Sequence, residues 1–160
     1  MDLEVRIYAE REGNELRLAS AIFHLSAAPA TKKELGTNEE DTFYSAAISH
    51  AYYSIFYAAK ALLLTKGIRT KSPEIHKKTY WEFKRIFVDT GELDIELLKI
   101  YKTMLVRADE LLSLFRKEKK KRGHFTYQTI AQANIPYAEE SLASARKFLE
   151  NVLEVVSQKQ

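Results

Sequence analysis

Four groups of residues in this 160-residue chain could do chemistry. The first is His124 in the segment RGHFTY, which follows the basic run RKEKKKR at residues 116–122. A histidine titrates near neutral pH and can act as general acid or base on a ribose 2′-hydroxyl, with Arg116 or Arg122 on the adjacent phosphate. The same letters also describe a solvated loop histidine. The second is the basic run itself. Lys117, Lys119, Lys120 and Lys121 can attract a polyanion, and Phe125 and Tyr127 can stack on unpaired bases. Cations at a helix end also suit the helix dipole, but six in seven residues exceed what one turn needs. The third is His50 with Tyr53, Ser54 and Tyr57, one helix face that can line a nucleotide pocket or a dimer seam, or simply pack. The fourth is Arg107, which can contact a phosphate of a nucleotide or RNA or, buried, reach a carboxylate or tyrosine hydroxyl, and Asp109; the two stand two apart and so need separate partners.

Several chemistries find no residues. Cysteine is absent, which excludes a disulfide framework, a thiolate metal site and a cysteine nucleophile. The His, Asp and Glu spacings match no metal site, and there is no glycine-rich phosphate loop or nucleophile elbow, so no cofactor is expected. The N-terminus MDLEVRIYAEREG is charged throughout and does not read as a secretory leader. Together with the missing cysteines this gives a cytoplasmic expectation.

The elements that must position these groups are helical. With only 5 Gly and 3 Pro, the chain reads as one all-α domain, an up-and-down antiparallel bundle of about five helices. Its centre is Phe43–Leu64, FYSAAISHAYYSIFYAAKALLL, apolar on nearly every face. Three serines, a histidine and a lysine within it argue against a membrane span. Before it, a helix is expected from about Arg6 to Ala27, with Leu18, Ile22 and Leu25 sharing a face and Pro29 as its stop. A polar loop follows, in which Asp41 or Thr42 caps the central helix. Gly67 ends that helix. Ser72 and Pro73 open the next, which runs to about Val88. Asp94 caps a long helix from Ile95 to about Lys119, and a last helix starts near Asn134.

The stretch SAAISHAYYSIFYAAKALLLTKGI resembles the signature helix of the HEPN family (higher eukaryotes and prokaryotes nucleotide-binding domain), in its stand-alone prokaryotic branch. SPEIHKK with His76, Arg107-Ala108-Asp109, and a closing helix with Leu142, Phe148 and Leu149 resemble further parts in the same order, over about residues 42–156. The resemblance implies a dimerising bundle, in many members paired with a minimal nucleotidyltransferase as a two-gene toxin–antitoxin system. It also implies, for active members, metal-independent ribonuclease action by an Arg followed after four to six residues by a His. Here seven residues separate Arg116 from His124 and one separates Arg122 from it, while Lys117 at six is not an arginine. That spacing favours a module that dimerises and binds a partner or nucleotide, with RNA cleavage as the alternative.

Overall fold

The computed structural model describes residues 2–121 and 135–158, with side chains through 113 and from 135 to 156. Every element is a helix: α1 Leu3–Ser26, α2 Pro29–Glu34, α3 Tyr44–Leu64, α4 Ile75–Phe83, α5 Ile95–Lys121 and α6 Ile135–Gln158. A π-helical stretch, Lys84–Val88, prolongs α4.

The hub is α3. Sixteen of its 21 residues are buried, which a helix can sustain only when other helices surround it. It packs on α1, α4, α5 and α6. Antiparallel pairing follows from contacts that run in opposite senses along the partners. Along α1 and α3, Tyr8 stacks on Tyr57, Glu15 meets His50, and Phe23 meets Tyr44. Along α5 and α6, Glu96 meets Lys147 and Arg107 meets Glu140. Tyr101, Phe83, Phe87 and Phe148 fill the centre beside α3.

Four sequence expectations change. The α1 helix begins at Leu3 rather than near Arg6. Its buried positions are Val5, Glu12, Ala19 and Ser26, whereas Leu18 is 44% exposed. Small side chains face small side chains here: Ala19, Ala47, Ala51 and Ala58 are all fully buried, which suits a close helix approach. Pro29 does not only end α1; it sits at the start of α2, where its missing N–H costs nothing. The central helix takes neither Asp41 nor Thr42 as its cap. Phe43 holds that position, and its N–H donates to Ser26 Oγ at 2.8 Å. Finally α4 opens at Ile75 rather than Pro73, because Glu74 is in the left-handed region at φ 55° and breaks the helical path. The Gly67 stop holds: with φ at 73°, it lets the Ile68 N–H reach back to the Leu63 carbonyl at 3.0 Å. The Asp94 cap holds as well, accepting from the Glu96 N–H at 2.7 Å.

Candidate nucleotide-binding cleft

A cleft of about 300 Å³ opens between α3, α4 and α5. From α3, Ser49, Tyr52 and Tyr53 enter it, three to four residues apart and so on one side of the helix. From α5 come Leu105, Ala108, Asp109 and Leu112 by the same rule, and α4 adds His76. His76 is delivered by its place in the first turn of α4. The loop before it is tied down: Lys60 Nζ donates to the Thr70 carbonyl at 3.1 Å, and the Thr70 and Thr79 hydroxyls meet at 2.6 Å.

The His76 ring lies among aromatic side chains. Its centre is 4.2 Å from that of Phe56, and it meets Tyr53 edge-on at 5.9 Å. Its Nδ1 is 2.7 Å from the Tyr52 hydroxyl. Burial, and then the nearby Lys60 ammonium, push the His76 pKa below its ordinary value. Burial first, then the hydroxyl of Tyr53 and the charge of Asp109, push Tyr52 upward. Tyr52 therefore keeps its proton, and its hydroxyl shares one hydrogen bond with Nδ1 of a neutral imidazole, the direction set by which ring nitrogen carries the proton. The cleft thus offers stacking faces, a neutral histidine and a carboxylate on its rim.

The sequence candidates fall in different places. Of the four on α3, only Tyr53 lines this cleft. His50 turns to α1, where Nδ1 lies 2.5 Å from Glu15. Tyr57 stacks on Tyr8, also of α1. Ser54 is fully buried and donates to the Ala51 carbonyl. Arg107 and Asp109 separate, as their spacing demands. Asp109 joins the cleft, while Arg107 bridges to α6, with Glu140 at 3.0 Å, Ser141 Oγ at 3.2 Å and the Tyr137 ring centre at 4.8 Å. Beside Arg107, Lys99 and Lys102 line a wider depression of about 600 Å³. Arg116, Lys117, Lys119, Lys120 and Lys121 fall on the last turns of α5, beyond its described side chains. Arg122, His124 and Tyr127 lie outside the described residues.

Sequence reasoning passed over Ser49 and Tyr52 as site residues and treated His76 as a weak family match. The signal was present: Ser49, Tyr52 and Tyr53 share one face of the helix. What the letters do not carry is which neighbour leaves that face uncovered.

The profile of the HEPN domain matches residues 21–157. Two proteins of Methanocaldococcus jannaschii, each named "putative toxin", are similar to parts of the chain. One is 47% identical over 57 residues, 36% of this chain and 37% of the relative. The other is 40% identical over 55 residues, 34% of this chain and 39% of the relative. A Thermotoga maritima protein named "UPF0332 protein" is 40% identical over 58 residues, 36% of this chain and 42% of the relative. The matched segments thus span less than half the length of these curated relatives.

Proposed function

Because the chain belongs to the HEPN domain family, we propose that it is a toxin-like HEPN module that works by binding a nucleotide or RNA, as a homodimer and with a minimal nucleotidyltransferase as its partner, rather than by Arg–His catalysis. The observation that carries this reading is the cleft of Tyr52, Tyr53, His76 and Asp109, which has the faces and edge groups a base needs. Arg107, the arginine of the family-like Arg-Ala-Asp, is engaged by Glu140, Ser141 and Tyr137 and stands outside that cleft. The toxin names of two relatives support the toxin-like part.

The test is equilibrium binding of the purified chain to a labelled single-stranded oligoribonucleotide and to ribonucleoside monophosphates, with the RNA afterwards sized on a gel. Saturable binding with intact RNA is expected. Tyr53→Ala should weaken it about tenfold, since stacking a base on an aromatic ring contributes roughly 1–3 kcal/mol. Neutralising Lys119, Lys120 and Lys121 together should flatten the salt dependence for RNA, because fewer counterions are released. The absence of binding to any of these ligands sinks the reading.

RNA cleavage is the second reading, favoured by the neutral imidazole of His76 in an open cleft, which can act as a general base through Nε2 in the tautomer whose Nδ1–H donates to the Tyr52 hydroxyl. Chelator-resistant cutting of the RNA would establish it. Loss of that cutting in His76→Ala would assign the base to the cleft, and loss in His124→Ala would assign it to the segment after the basic run.

A further inference from the structure

We propose that the cleft between α3, α4 and α5 selects guanine over the other bases, with Asp109 reading the edge that carries N1–H and the 2-amino group. The proposal rests on the nucleotide-binding reading and names the ligand class within it.

Size comes first. At about 300 Å³ the cleft lies at the small end of ligand sites. It suits one fused ring system and leaves the sugar and phosphate outside. The cations agree with this, since Arg107, Lys99 and Lys102 line a separate depression.

The faces come next. Tyr53 is 38% exposed; its ring stacks on Tyr57 and stands edge-on to His76, and its exposed part can meet a flat ring entering the cleft. Leu105 and Leu112 close the α5 side, and Leu112 is itself 49% exposed. An apolar wall facing an aromatic one favours a planar, weakly hydrated group over a sugar or a bare anion.

The edge decides among bases. An ionised carboxylate only accepts hydrogen bonds. Among the described residues, no hydrogen bond or ion pair engages that of Asp109. Guanine places two N–H donors side by side, N1–H and the 2-amino group, and both can meet the two oxygens of one carboxylate in parallel. Adenine and cytosine set a ring-nitrogen lone pair beside their amino group, which a carboxylate repels. Uracil flanks its single N–H with two carbonyls, which repel it too. Of the lining's other polar groups, the Ser49 hydroxyl can donate, as can His76 in its Nε2–H tautomer, which suits guanine's O6 and N7 acceptors.

The experiment is calorimetric titration of the full chain with GMP, AMP, CMP and UMP, repeated on two variants. GMP should bind about tenfold or more tightly than AMP, the discrimination expected of one bidentate pair. Asp109→Ala should remove that preference, weakening GMP and relieving the repulsion of AMP so that the two affinities converge. Asp109→Asn keeps one acceptor and adds one donor. It should lose GMP and gain xanthosine monophosphate, whose 2-oxo group replaces the amino group. A merely structural Asp109 would not produce that exchange. Asp109 is exposed, so both variants should fold, and circular dichroism checks this. Equal affinity for all four monophosphates, unchanged by Asp109→Asn, overturns guanine selection and leaves nucleotide binding standing. No binding of any monophosphate overturns guanine selection, and failure of the oligoribonucleotide to bind as well overturns both.

Discussion

Glu12 is fully buried on α1, and its Oε1 has no hydrogen-bond partner among the described residues. Burial pushes its pKa from an ordinary 4.5 to about 8. The folded chain therefore holds a proton there that the unfolded chain has already lost. Stability should fall as pH rises from about 4.5 to about 8 and level off above, by at most about 1.4 kcal/mol per pH unit. His76 acts in the opposite direction. Its lowered pKa means the folded state resists protonation, so stability is present above an ordinary 6.5 and is lost as pH falls below it. Glu12→Gln separates the two, since it removes only the first. Urea midpoints at pH 5 and pH 8 should drop further with pH in the native chain than in the variant, and equal drops would exclude Glu12 as the cause. Nothing in the sequence reveals this residue. In EREGNE a glutamate reads as surface, and only the partner helix α3 shows that position 12 shares the inner face with Val5, Ala19 and Ser26.

Among the elements, the short α2 depends on one side chain. Lys32 is 3% exposed, and its Nζ donates to the Ser26 carbonyl at 3.0 Å and the Asp41 carbonyl at 2.6 Å. It thus ties the end of α1 to the approach of α3, across a connection that looks like ordinary polar loop. Lys32→Met keeps the packing stem and removes the donor, leaving both carbonyls without it. A loss of about 1–3 kcal/mol in denaturant unfolding is expected, and an unchanged midpoint would mean that water replaces the ammonium. The long helices were legible because each repeats its apolar residues over many turns. Leu97, Tyr101, Met104, Ala108, Leu111 and Phe115 do so for α5, and Ala138, Leu142, Ala145, Leu149, Val152 and Val156 for α6; all are buried except Ala108, which is partly buried, and Phe115, which lies beyond the described side chains. A six-residue helix such as α2 has too few turns to show a period. The start of α4 was misjudged for a related reason: Ser-Pro-Glu is a sound cap pattern, and only the left-handed backbone at Glu74 cancels it. Of the candidate site, Tyr53 and Asp109 were legible as single residues. Their meeting with His76 was not, because it depends on three helices converging.

At the scale of the whole molecule, the described helices include none long and apolar enough to cross a membrane. The family resemblance supports pairing, and Val106 and Leu112 stand 46% and 49% exposed on α5. Light scattering at micromolar concentration should give twice the chain's mass, and a single-chain mass would count against the homodimer. The crowding of α3 also bears on how such a protein can change over time. Only Ala46, Ser49, His50, Tyr53 and Tyr57 of that helix escape full burial, and two of them form the cleft wall. Nearly every other position there is closed to novelty, because a new side chain would have to fit against several helices at once. Change at the cleft can therefore enter through Ser49 and Tyr53 of this helix and otherwise from α4 and the open side of α5. A library aimed at new specificity would best vary Ser49, Tyr53, Leu105, Asp109 and Leu112 and leave the rest of the central helix untouched.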